Sequence, residues 1–395
     1  MKIWSPTCYS EDENAIHNTI NDIYEYFITE ISFQDSTSLL TGNSGVCLFL
    51  YYYYQYSGEI EAKNIADSYI DVIIDSFEND TEHNLVEGSI GKAWLINHLT
   101  INNFIKTDKD IFEETDQDFF EIALKYLENN NYDLFYGALG IILFFISSKK
   151  TKYAKDLLNK LITIAKLNDK SLFWDTDSPK GNAIFFGLAH GQGSVYSIIN
   201  KAITELNLQE LKDHLFESIS FTKTFININQ DNLTSSVPNY ITESENSCDL
   251  RLSWCNGDLG LFYKLLQIAM IHDDSDLKEL SLSALLRTTK ISTLEDAKIH
   301  DSIICHGTAG TALLYSHLYN MTSEKVFLNS AQYWWKETLD MKKHKDGCAG
   351  YKFSDPEFNY FKSNSLLQGV SGVGLALISS VSEIAPSWDE CLLLS

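Results

Sequence analysis

Residues 39–50 read LLTGNSGVCLFL: Gly42 and Gly45 bracket two polar residues, and an apolar run follows. A single Gly-x-x-Gly pair carries no information, but its recurrence does. The pair returns as Gly88–Gly91 in LVEGSIGKAW, Gly137–Gly140 in LFYGALGIILFF, Gly257–Gly260 in WCNGDLGLFY, Gly307–Gly310 in CHGTAGTALL and Gly369–Gly372 in LLQGVSGVGLAL. A seventh copy, GLAHGQGSVYSI, keeps Gly191 but places Ser194 where the second glycine belongs. Self-similarity at a roughly fixed period is the mark of a repeat architecture.

Helical patterns fill the intervals. In TKYAKDLLNKLITIAKL (151–167) the apolar residues Ala154, Leu157, Leu158, Leu161 and Ala165 follow the i, i+3, i+4 rule, and Ile65, Tyr69, Val72, Ile73 and Phe77 do so in EAKNIADSYIDVIIDSF. The runs after each glycine pair, such as GIILFFISS, are apolar on nearly every face, as helices buried all round are. YYYYQY (51–56) holds strand-prone residues but follows a glycine pair, so it reads as inner helix. Each unit therefore pairs an amphipathic outer helix with a buried inner one, and glycine at the inner start permits positive φ and close backbone approach. An open stack of seven such hairpins leaves inner helices uncovered, whereas a closed ring covers them. The expectation is an all-α chain, a single α/α toroid (barrel) domain over residues 1–395, with the inner-helix starts gathered at one end. Residues 227–249, polar and carrying Pro238, read as a loop.

Composition agrees. Of 395 residues, 44% are hydrophobic and only five are proline, so a large helical core is permitted. A formal net charge of −24 disfavours nucleic acid, whose phosphates need a basic surface. The acidic opening MKIWSPTCYSEDEN lacks the apolar stretch of a secretory signal, and the run around 134–148 is too short to span a bilayer. Seven cysteines suit no disulfide framework, which points to a reducing, cytoplasmic setting where thiols stay free to bind metal.

If the inner-helix starts converge, residues just ahead of them meet. Cys255 stands two residues before Gly257, and Cys305 holds the same offset from Gly307 with His306 beside it. His190 directly precedes Gly191, and Asp133 lies four residues before Gly137. Cys255, Cys305 and His306 form a three-ligand set with a fourth position open, the pattern of a catalytic zinc site. The positive end of a helix also favours thiolate over thiol. Free cysteines are commonly small buried hydrophobes. That reading suits Cys8, Cys47, Cys248, Cys348 and Cys391, while the matched offset sets Cys255 and Cys305 apart. Asp133 fits a helix N-cap as well as it fits a functional group.

RLSWCNG (251–257), CHGTAG (305–310), GLAHG (187–191) and YDLFYG (132–137) resemble, in order, the motifs of lanthipeptide cyclases, the LanC family. The resemblance implies a seven-hairpin toroid, with Cys255, Cys305 and His306 as zinc ligands, His190 as acid/base, Asp133 as catalytic aspartate and Arg251 as a further site residue. Asn256, often tyrosine in the family, and Ser194 depart from the pattern. The implied reaction adds cysteine thiols to dehydroalanine or dehydrobutyrine within a dehydrated precursor peptide (leader plus core), forming (methyl)lanthionine rings. It further implies a stand-alone class I enzyme, cytoplasmic or peripheral to a membrane-associated complex, with a dehydratase and a transporter of the same pathway as partners. Two alternatives stand beside it: glutathione addition to dehydroamino acids, and a zinc-bound scaffold that binds peptides without catalysis.

Overall fold

A computed structural model of the chain describes residues 4–30, 36–77, 80–107, 111–178, 181–228, 235–248, 250–355 and 357–395. The helices in chain order are α1 (Glu13–Glu30), α2 (Ser44–Ser57), α3 (Ile60–Asp75), α4 (Ser89–Ile101), α5 (Asp116–Glu128), α6 (Ala138–Ser147), α7 (Thr151–Thr163), α8 (Gln192–Glu205), α9 (Lys212–Lys223), α10 (Asp258–Ile271), α11 (Ser275–Thr288), the short α12 (Leu294–Ala297), α13 (Thr308–Thr322), α14 (Lys325–Asp340) and α15 (Val370–Val381). Seven of them, α2, α4, α6, α8, α10, α13 and α15, begin just behind a first repeat glycine. These seven touch one another in sequence, α2 on α4 and so on round to α13 on α15, and α15 returns to pack on α2. The ring is closed, and α1, α3, α5, α7, α9, α11 and α14 lie outside it.

Burial follows the two hydrophobic patterns. All ten residues of α6 are buried, seven of them large and apolar. Each such side chain contributes about 1.5–3 kcal/mol relative to exposure. Outer helix α7 buries one stripe, Ala154, Leu157, Leu158 and Leu161, whereas Ala165 lies beyond its end. On α3 the buried stripe is Ala62, Ala66, Tyr69, Ile70 and Ile73, so Ile65 and Val72 sit half-buried at its margin.

The glycines act mainly by close approach. An added Cβ on Gly140 would lie 2.7 Å from the carbonyl oxygen of Leu134, six residues back, and the corresponding atom on Gly91, Gly260, Gly310 or Gly372 would collide with the equivalent carbonyl. Among the first glycines only Gly257 uses the left-handed region (φ 96°). Ser194 is tolerated because Gly193, one residue earlier, makes the approach instead, 2.8 Å from the Gly187 oxygen. The buried Ser194 hydroxyl then donates to the Gly191 carbonyl at 2.7 Å.

A collar of backbone hydrogen bonds links the loops that enter the inner helices. Leu40 N–H donates to Val86 O (3.2 Å), Leu85 to Phe135 (3.0 Å), Ala189 to Cys255 (3.3 Å), Trp254 to Cys305 (3.1 Å), Cys305 to Leu367 (3.3 Å) and Leu367 back to Leu40 (3.1 Å). Among the described residues no such bond joins the third repeat to the fourth.

The far end of the lumen is filled by residues 384–394, including a 3₁₀ turn (Ser387–Leu392). Ser387 meets Tyr52 of α2, and Glu390 accepts from Trp94 of α4, Ser147 of α6 and Lys201 of α8. Asp389 pairs with His317 of α13, and Tyr263 of α10 donates to the Leu394 carbonyl.

Eight short strands were not expected. β1 (Lys166–Asn168) pairs with β2 (Ser171–Phe173), and β7 (Phe353–Ser354) with β8 (Tyr360–Phe361), both antiparallel. β3 (Thr176–Ser178), β4 (Gly181–Phe185), β5 (Tyr240–Ile241) and β6 (Asn246–Ser247) form a small antiparallel sheet in that order. The 227–249 stretch therefore holds two strands where a plain loop was expected. Strands of two to five residues lie below the length at which alternation is detectable. No helix among the described residues is long and apolar enough to cross a membrane.

Candidate metal centre

The offset shared by Cys255 and Cys305 has a structural cause. Both residues occupy the collar position, two residues before the glycine that opens an inner helix, and adjacent repeats place them side by side. The backbone N–H groups of Trp254 and Cys255 converge on the Cys305 carbonyl at 3.1 and 3.4 Å, which fixes one loop upon the other. The Cys255 and Cys305 sulfurs and a His306 ring nitrogen all lie within 4.8 Å of one another. Both cysteines are nearly covered, at 8% and 7% exposure.

The donor set suits zinc. Zn–S bonds of about 2.3 Å and Zn–N bonds of about 2.0–2.1 Å hold tetrahedral donors roughly 3.5–4 Å apart, within the 4.8 Å that encloses the three donor atoms here. The local electrostatics already favour a thiolate. Hydrogen bonding from Cys305, opposed by burial and aided by His306, holds Cys255 well below the ordinary thiol range. Cys305 is pushed up by that partner and by burial, while the charge of Arg251 works in the other direction. The unrelated buried thiols Cys47 and Cys391 are driven well above the ordinary value by burial. Arg251 is half-buried, with an Nε that has no partner among the described residues.

His190 and Asp133 span the one seam that the backbone collar leaves open. His190 Nδ1 meets Asp133 Oδ2 at 2.6 Å. The other carboxylate oxygen, Oδ1, accepts the N–H groups of Phe135 (2.8 Å) and Tyr136 (2.9 Å). Asp133 is not the N-cap of α6, a position held by Gly137; it caps the preceding turn and holds the imidazole. The second repeat shows the cap alone, since Asn84 Oδ1 accepts from Val86 and Glu87 at the same offset. Burial lowers the His190 pKa, but the hydrogen bond and charge of Asp133 outweigh it, Cys255 adds to them, and the net shift is upward. The two residues line a cavity of about 230 Å³ together with Tyr132, Thr176 and Phe185.

Phe135 and Trp254 were not expected at the site. The Phe135 ring stands edge-on to His190, with centroids 5.5 Å apart at 88°, and is tilted against Trp254, again at 5.5 Å. Asp301 Oδ1 caps Ile303 at 3.1 Å in the Cys305 loop, where the usual capping position holds an isoleucine. A polar residue four before five of the seven first glycines (Ser38, Asn84, Asp133, Ser253 and Ser365) was a readable signal for these caps. Nothing in sequence spacing marked the two ring contacts. Asn256 places its Oδ1, buried and without a partner among the described residues, against Gly187.

A closed α/α toroid with an open two-cysteine, one-histidine cluster at the inner-helix starts defines the class. The sequence profile described as "Lanthionine synthetase C-like protein" matches residues 33–393, and the chain belongs to that family. Among solved structures it is similar to "Nisin cyclase", with a TM-score of 0.75 at 18% sequence identity over 97% of this chain and 98% of that one. A GH76 α-mannanase from Bacteroides thetaiotaomicron superposes more loosely, at TM-score 0.48 and 10% identity over 93% of this chain and 95% of that one.

Proposed function

We propose that this protein is a zinc-dependent lanthipeptide cyclase. It would join cysteine thiols to dehydroalanine or dehydrobutyrine within one dehydrated precursor peptide. The carrying observation is the meeting, at one end of the toroid, of the Cys255–Cys305–His306 cluster with a carboxylate-held His190. Membership of the family and likeness to the fold of nisin cyclase support the same reading.

Zinc held by Cys255, Cys305 and His306 would lower the pKa of a substrate thiol, which is mostly protonated at neutral pH. The remaining chemistry falls to the protein's own groups. Thiolate addition to the β-carbon leaves an enolate, which must take a proton at the α-carbon. His190 is assigned that proton transfer through Nε2, since Nδ1 is engaged with Asp133. Asp133 orients the ring and stabilises its charged form. Arg251, beside Cys305, is assigned to the developing negative charge. The cyclase would act as a single domain on a peptide already dehydrated by a separate enzyme.

The test uses the peptide encoded by a neighbouring gene, dehydrated beforehand. Cyclisation leaves mass unchanged, so free thiols are counted by alkylation and mass spectrometry. Loss of alkylatable cysteine is expected with zinc-loaded protein. Thiols that persist would overturn the reading. Consumption of added glutathione, with the mass rising by one glutathione, would favour intermolecular addition instead.

A further inference from the structure

The metal loop rests on the segment that fills the lumen. Trp254, one residue before Cys255, is 1% exposed and points its indole N–H at the Leu392 carbonyl, at 2.8 Å. Two residues further along that segment, the Leu394 carbonyl accepts the Tyr263 hydroxyl at 2.6 Å. The segment is itself held by side chains from α2, α4, α6, α8, α10 and α13. Leu392 therefore cannot move without disturbing most of the ring.

Trp254 in turn reaches both halves of the site. Its backbone N–H donates to the Cys305 carbonyl, and its chain neighbour is Cys255. Its ring packs on Phe135, which also stands at 88° to the His190 ring. Metal cluster and imidazole stand on loops of different repeats, and Trp254 lies between them.

We infer that residues 384–394 are a positioning element for the reaction: through the Leu392 carbonyl they fix Trp254, and Trp254 sets the Cys255 loop and, by way of Phe135, the His190 ring. The inference rests on the cyclase reading, whose chemistry needs cluster and imidazole in one register. An acid displaced by about 1 Å can cost roughly a hundredfold in rate while leaving peptide binding intact.

Three proteins test it: Trp254→Phe, which keeps a ring but loses the N–H; a chain stopped after Cys391; and the two changes combined. Two readouts apply. The first is the absorption spectrum of cobalt(II)-loaded protein, which reports ligand geometry without turnover. The second is kcat and KM on the dehydrated peptide described above. The expected result is a shifted cobalt spectrum and a kcat lowered about tenfold or more, with KM within about twofold of wild type, in either single change. The combined protein should be no worse than the shortened chain, which has already lost the bond that Trp254→Phe removes. Wild-type spectrum and kcat in Trp254→Phe would overturn the inference, as would losses that simply add. If the shortened chain does not fold, Trp254→Phe with Tyr263→Phe as its companion decides the matter. A wild type that neither binds cobalt nor cyclises peptide would overturn the cyclase reading and this inference together, whereas an active wild type with silent variants overturns this inference alone.

Discussion

Asp133 shows how one residue position becomes chemical. Four residues before a first glycine, the repeat wants a side-chain oxygen to cap its turn, and serine or asparagine serves elsewhere. A carboxylate does the same work with one oxygen and keeps the second for His190. Asp133→Asn retains the cap but loses the charge, so kcat should fall by roughly 10²–10⁴ while thermal stability stays near wild type. The pH profile should move as well. Asp133 holds the imidazolium to higher pH than burial alone allows, so the alkaline limb of kcat should shift to lower pH in the variant. At the metal, Cys305→Ala should drop zinc content from about one per chain to near zero, measured by elemental analysis. Unchanged zinc would sink the assignment of the ligands. These site residues were legible because each stands at a repeated offset from a glycine. Phe135 and Trp254 were not, because a ring contact across repeats has no spacing signature within the chain.

Among the elements, the repeat glycines are distinguished by what lies behind them. A methyl group on Gly310 would overlap the Ile304 carbonyl, so Gly310→Ala should push α13 off its loop and cost about 2–4 kcal/mol in urea unfolding. Gly58, at the end of α2, has open space around it, and only its φ of 76° opposes a side chain. Gly58→Ala should cost about 1 kcal/mol. Equal losses at the two positions would count against close approach as the reason for the motif. The inner and outer helices could be read from the sequence because their apolar stripes run for three or four turns. The β3–β6 sheet could not, since its long-range backbone pairing joins residues 184–185 to 240–241 and its strands are too short to show alternation.

Within the whole molecule, the lumen carries charge that the fold must hold in place. Lys264 on α10 is buried, and its Nζ donates to Gln267 Oε1 at 2.7 Å. Burial first, then nearby Lys201, lowers its pKa to about 7, against the pull of Asp389. The unfolded chain keeps that proton up to about pH 10.4, so between the two values the unfolded state binds more protons and stability rises with pH. Lys264→Met should therefore stabilise the protein by about 1–3 kcal/mol at pH 6.5 and flatten the rise in melting temperature towards pH 9.5. The closed ring was legible from the count of repeats and the all-round apolar inner helices. The packing of residues 384–394 into its far end was not, because their contacts are single side-chain bonds to six different helices. The seam between the third and fourth repeats gives the ring a clasp. Amide protons of the collar at Leu85, Cys305 and Leu367 should exchange only when the entire protein opens, since each is bonded to a neighbouring loop. At the seam, among the described residues, the loops meet only through side chains, so the amides of Phe135 and Tyr136, bonded to the Asp133 carboxylate alone, should trade with deuterium sooner. The site then occupies the joint where the ring yields first, and a peptide could be admitted by breathing there while the other six joints stay shut.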